Sequence, residues 1–176
     1  MEKRFGLVLI ALVVVFTLCC SVFAAGAGKD STSGIKTTIH EYISGNAETK
    51  SCLQTSMQML EDMYSGKRSY SAALISSQFE TLSTYKSRIE TDSKYLVELK
   101  NLYLQEYSAV QSALTYAQLN YDRTITQSDK DYISSLAAQS DKLDSEEDST
   151  YISLFKNVGM KYNISQDGKI SYEYNN

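Results

Sequence analysis

The chain has 176 residues, with 17 Lys and Arg against 21 Asp and Glu, one His, three Cys, fourteen Tyr and neither Trp nor Pro. One histidine excludes multi-histidine metal centres by count. The acidic balance argues against nucleic acid as a partner, because binding it needs a basic face to displace counterions.

Lys3 and Arg4 precede an apolar stretch from Phe5 to Ala25 in which cysteine thiols are the only ionisable groups. This is the pattern of an export segment. Val22-Phe23-Ala24 and Ala25-Gly26-Ala27 each offer small residues for a signal peptidase, whereas the length of the run matches the ~20 residues that span a bilayer. Residues 1–27 therefore read as a signal peptide or as an N-terminal membrane anchor. Either leaves Lys3 and Arg4 on the cytoplasmic side and the body outside. Lipidation at Cys19 or Cys20 is disfavoured, because Leu18 and Cys19 stand where a small residue is wanted. Without Glu2, Lys3 and Arg4 the body keeps 15 basic and 20 acidic residues, a formal charge of −5.

Residues 28–34 are polar and glycine-bounded, which predicts a flexible spacer. Apolar side chains then recur at Ile35, Ile39, Tyr42 and Ile43, and again at Leu53, Met57, Leu60, Met63 and Tyr64, a helical spacing. Gly45-Asn46 is placed to kink or split this first helix, and Ser65-Gly66-Lys67 to end it.

Between Gly66 and Gly159 stand 92 residues with neither Gly nor Pro, so long helices are expected. The column Leu82, Ile89, Leu96, Tyr103, Val110, Ala117 is apolar throughout, and the column Ser87, Lys94, Asn101, Ser108, Thr115, Asp122 is polar throughout. Flanking positions Tyr95, Leu102, Ala109, Tyr116 and Leu99, Ala113, Tyr107, Leu114, Tyr121 widen the apolar stripe beyond a two-stranded seam. A single helix over residues 69–126 would run about 85 Å. A break at Thr91-Asp92-Ser93 would make it two, but the unbroken apolar column favours the long helix. Ser128 is the expected cap of a last helix, with Asp129 and Asp131 in its first turn, and Gly159 its stop.

Beyond Gly159 the period becomes alternating, with Met160, Tyr162, Ile164 and then Ile170, Tyr172, Tyr174 about Gln166-Asp167-Gly168. A three-residue loop with Gly168 left-handed pairs Ile164 with Ile170, Tyr162 with Tyr172 and Met160 with Tyr174. The resulting sticky face is expected to lie on the helices, since an isolated hairpin is marginal in water. The expected fold is all-α: an antiparallel, coiled-coil-like bundle of three or four long helices over residues 35–158, with a C-terminal β-hairpin in residues 159–176.

Chemistry-bearing patterns are sparse. His40 has no nucleophile at a recognisable spacing, and phosphate loops, G-x-S-x-G and C-x-x-C are missing from the sequence. No catalytic residue, cofactor or metal ligand is expected. The acidic run Asp141, Asp144, Glu146, Glu147, Asp148 invites calcium, but an EF-hand counted from Asp144 would put Ser149 where Gly and Phe155 where Glu are required. A solvated helix face is expected there instead. Cys52, the one cysteine of the exported body, reads as a buried thiol with an intermolecular disulfide as alternative. Asn163-Ile164-Ser165 is an N-glycosylation sequon on the face opposite Ile164. Tyr95, Tyr103, Tyr107, Tyr116 and Tyr121 read as core with hydroxyls at the rim, or as a contact face.

These features predict a non-enzymatic cell-envelope protein, secreted or anchored to the membrane, whose bundle is a spacer or a surface for other envelope proteins or for its own copies. The alternative is an extracytoplasmic small-ligand-binding or sensory bundle.

Overall fold

The computed structural model describes residues 32–166 and 168–174. The chain divides into two units, residues 1–34 and 35–176. The first enters the description only through Thr32–Gly34, so the expected signal peptide or anchor lies outside the described residues. Among the described residues no helix is long and apolar enough to cross a membrane.

Among the described residues five helices, α1 Thr32–Gly45, α2 Ala47–Tyr64, α3 Ala72–Ile89, α4 Val97–Leu119 and α5 Gln127–Val158, precede strands β1 Tyr162–Ile164 and β2 Ile170–Tyr172. The helical pattern starts at Thr32, inside the stretch read as spacer. An exposed first turn carries no apolar signature, so periodicity cannot register it. α1 and α2 are one helix interrupted at Asn46, where the ladder runs through: the Asn46 N–H donates to the Tyr42 carbonyl at 3.1 Å and the Lys50 N–H to the Asn46 carbonyl at 3.0 Å. Gly66 (φ +78°) ends α2 where its sequence placed the stop.

The long helix over residues 69–126 does not form; the chain breaks between Ile89 and Val97. The cause is tertiary. A helix end leaves carbonyls without partners, and here the Arg88 carbonyl accepts the Asn46 side-chain amide at 3.0 Å while the Ile89 carbonyl accepts the Tyr42 hydroxyl at 2.8 Å. Glu90 then turns extended (φ −69°, ψ 135°) without help from Gly or Pro. Turning back also gives the broad stripe helical neighbours on several sides, and each large apolar side chain so buried contributes ~1.5–3 kcal/mol. Asp92, offered as a cap, is exposed, and α4 starts at residue 97 with Leu96 as its unbonded cap.

The facial reading survives the break. Leu82, Ile89, Leu96, Tyr103, Val110 and Ala117 are all buried, and the polar column from Ser87 to Asp122 is exposed. Inter-helix bonds run in opposing order, Glu48 with Arg88 and Ser56 with Gln78 between α2 and α3, Tyr116 with Asp129 and Glu106 with Ser140 between α4 and α5. These are antiparallel pairs, and the body is an all-α bundle with a terminal hairpin.

α5 is capped by Thr126, not Ser128. The Asp129 N–H reaches the Thr126 hydroxyl at 3.4 Å and the Thr126 N–H reaches the Asp129 carboxylate at 2.6 Å, a reciprocal capping box whose acid sits three residues after its cap. Gly159, left-handed at φ +65°, ends the helix. The hairpin pairs Tyr162 with Tyr172 and Ile164 with Ile170, and Gly168 is left-handed at φ +83°. Its ring face packs on α5 and α1: Phe155 meets Tyr172 at 4.8 Å, and His40 stacks on Tyr174 at 4.0 Å. Ile164, at the tip, is left exposed.

Candidate functional site

Four ionisable side chains from three helices converge inside the bundle. Lys50, in the first turn of α2, points its ammonium at Glu106 of α4 (3.3 Å), at Glu147 of α5 (2.5 Å) and at Asp144 one turn earlier on α5. Glu106 and Glu147 are fully buried, whereas Lys50 and Asp144 keep a partial opening to solvent. Ser140 donates to the other Glu106 oxygen at 3.1 Å, and Gln54 to the outer Asp144 oxygen at 3.3 Å. One face is walled by tyrosines: Lys50 lies 5.7 Å from the Tyr103 ring centre, and the Tyr103 hydroxyl bonds that of Tyr151 at 2.6 Å.

Electrostatics follow from this packing. Burial disfavours the Lys50 charge, but Glu106 and Glu147 outweigh it and hold the ammonium above the ordinary lysine range. Burial pushes the Glu106 carboxyl up, against the pull of Lys50. Glu147 is driven to about 8 by burial, with Glu106 adding to the rise and Lys50 opposing it. Burial likewise lifts Tyr103 to about 12 and Tyr151 further.

Oxygens of Glu106, Asp144 and Glu147 lie within 4.8 Å of one another, the convergence a cation demands. The Lys50 ammonium already holds that position. The set is therefore a counter-charge cage for lysine.

The acidic run thus separates by helix face. Asp141, Glu146 and Asp148 are exposed, as a solvated face requires, and Glu146 pairs with Lys142 at 3.1 Å. Asp144 and Glu147, three apart on one side of α5, turn inward. The unbroken helix through residue 158 also removes the loop an EF-hand would need. Glu106 and Lys50 were not singled out from sequence. A signal existed: each interrupts an apolar heptad column, Lys50 between Ile43 and Met57, Glu106 between Leu99 and Ala113, and Ser140 with Glu147 between Ile133 and Leu154.

The other singled-out residues lie apart from this knot. Cys52 is buried, its sulfur 3.6 Å from the Gln78 amide, and burial raises its thiol, so an intermolecular bridge would require the helices to open. Asn163 is exposed. Tyr103 and Tyr107 are core residues and offer no contact face; their rings fill the space between helices. Tyr95, Tyr116 and Tyr121 are half-buried. His40 is bonded through Nδ1 to the Tyr172 hydroxyl at 3.0 Å. A second polar cluster closes the α4–α5 turn, where Asp129 accepts from the Tyr116 hydroxyl and from Arg123 at 2.5 Å.

Between the end of α2 and the start of α5 lies an open groove of about 240 Å³, edged by Gln58, Tyr64, Ser65, Lys67, Lys130 and Ser134. Comparison with protein families, with characterised proteins and with solved structures finds no match to this chain.

Proposed function

We propose that this chain is a non-enzymatic cell-envelope protein, exported or held at the membrane by its N-terminal segment, whose helical body is a spacer and a surface for other proteins. The observation that carries the reading is how the apolar stripe is used. Leu96, Tyr103, Val110 and Ala117 are spent inside the bundle, and the opposite positions from Ser87 to Asp122 are all exposed as polar surface. A contact site is supported at the α4–α5 turn, where Leu119 is 80% exposed and the exposed Tyr132 packs on Tyr116 at 4.6 Å. Exposed aromatic and apolar anchors are what partner proteins cover.

The test is site-specific photo-crosslinking from position 119 in intact cells, with intact-mass measurement of the protein from membrane and soluble fractions. The expected result is a discrete crosslinked protein, lost on Tyr132→Ala, and a species either retaining residues 1–27 or trimmed near Ala25 or Gly28. A cytoplasmic protein with its N-terminus intact and no crosslink would sink the proposal.

A second reading, a small-ligand-binding bundle, is favoured by the groove, where Tyr64 and Ile133 lie among Lys67, Lys130, Glu61 and two serine hydroxyls. Its volume of about 240 Å³ falls below the ~300–1,000 Å³ of ordinary ligand pockets, so only a small polar molecule would fit. Chemical-shift changes confined to Tyr64, Lys67 and Ser134 on adding acetate or phosphate would favour it over the spacer.

A further inference from the structure

The fully buried part of the knot is two carboxyl groups, and they share the one, partly open, Lys50 ammonium. If both carboxyls were ionised, a net negative charge would be sealed in the bundle, where an unpaired charge is expensive. Glu106 and Glu147 are both fully buried, oxygens of the two lie within 4.8 Å of one another, and they share one ammonium, at 3.3 and 2.5 Å. The Glu147 Oε1 atom is buried with no hydrogen-bond partner. One proton held by the pair removes the charge that this unpartnered oxygen would otherwise carry and makes Lys50, Glu106 and Glu147 together neutral.

We propose that the Glu106–Glu147 pair is a proton-binding site that locks α2, α4 and α5 together while protonated and loosens that contact when the proton leaves in alkaline solution. The groups facing the pair come from each packed element: Lys50 from α2, Tyr103 from α4, Asp144 and Tyr151 from α5, and Tyr42 from α1, with Asp148 on the exposed side of α5. The charges of α3 lie elsewhere, Arg88 on Glu48 at 2.6 Å, Lys86 over the Tyr107 ring and Glu80 exposed. Among the described residues Lys50 is the only cation facing the pair. It cannot balance both glutamates and Asp144 at once, so Asp144 relies on its opening to water.

The sign follows from linkage. A carboxyl whose folded value is raised contributes stability that is whole below its unfolded value and is lost as pH rises to the folded one. For Glu147 that window runs from the ordinary glutamate range up to about 8, and the titration belongs to the pair rather than to one residue. The lock is thus firmest in mildly acidic surroundings.

The test is a ¹³C NMR titration of the glutamate side-chain carboxyls in the purified full-length protein, with thermal unfolding of wild type and Glu147→Gln from pH 4.5 to 9.5. The expected result is one carboxyl titrating near 8 in wild type and none in the variant, a wild-type melting temperature that falls by several degrees across this range, and a flat profile in the variant, which is the more stable protein at pH 9. If every carboxyl titrates in the ordinary acid range, below about pH 6, the proposal fails whether or not the variant folds. A variant retaining the wild-type slope would overturn it equally.

Discussion

At the scale of single residues, Lys50 is, among the described residues, the one cation facing two fully buried carboxyls. Replacing it by Met removes the charge while keeping the stem, and breaking a buried pair from one side costs ~3–5 kcal/mol. Urea unfolding of Lys50→Met at pH 7 should show that loss. Replacing Lys50, Glu106 and Glu147 together by Met, Gln and Leu should recover most of it, because no buried charge is then left unpaired. Cys52 gives a second residue-level expectation: with its thiol buried and raised, Ellman's reagent should leave the native protein carrying Cys19→Ser and Cys20→Ser unlabelled and react once urea unfolds it. A buried thiol was legible from the apolar spacing around it. The knot was only half legible: a polar residue in an apolar column marks a conflict within its helix, but nothing in one column says that Lys50 meets Glu106 and Glu147 across three helices. That depends on the levels at which antiparallel helices stack.

Elements stop where their terminal groups find partners. Thr126→Ala should cost ~0.5–2 kcal/mol by removing one half of the α5 capping box, read as a lower urea midpoint. Asp129, the other half, is held well below the usual carboxylate range by the Tyr116 hydroxyl first and the Thr126 N–H next. A lowered value means stability that is present above the ordinary aspartate range and is lost as pH falls through the folded value. Asp129→Asn should therefore destabilise at neutral pH and show less further loss between pH 4 and 2 than wild type, measured by circular dichroism. The hairpin depends on Phe155, which lies beneath Tyr162 and Tyr172. Phe155→Ala should cost ~3–5 kcal/mol and release the Tyr172 and His40 ring signals from their shifted NMR positions. Hairpin register was readable because period-two alternation permits only one pairing with all large groups on one face. The end of α3 was not, because its caps are Tyr42 and Asn46, more than forty residues away.

Across the whole molecule the two acidic systems pull in opposite directions. Asp129 adds stability as pH rises out of the acid range, and the Glu106–Glu147 pair withdraws it from there to about 8. Melting temperature against pH should accordingly peak at about pH 4–5 and decline toward pH 8. A peak at or above neutrality in differential scanning calorimetry would contradict the balance described here. The same measurement bears on the interaction surface, since Leu119 and Tyr132 lie at the α4–α5 turn that Asp129 holds closed.

The sequence by itself determined the class of fold, the inward and outward columns, the glycine stops at Gly66 and Gly159, and the hairpin register. All of these are local: periodicity and backbone freedom act within a few residues, so they can be read along one segment. Only the tertiary structure decided that residues 69–126 become two helices and that four scattered charges become one buried knot. Both depend on which helices lie side by side and at what level, because a carbonyl or carboxylate withdrawn from water is satisfied by whatever donor packing brings to it, however distant in the chain.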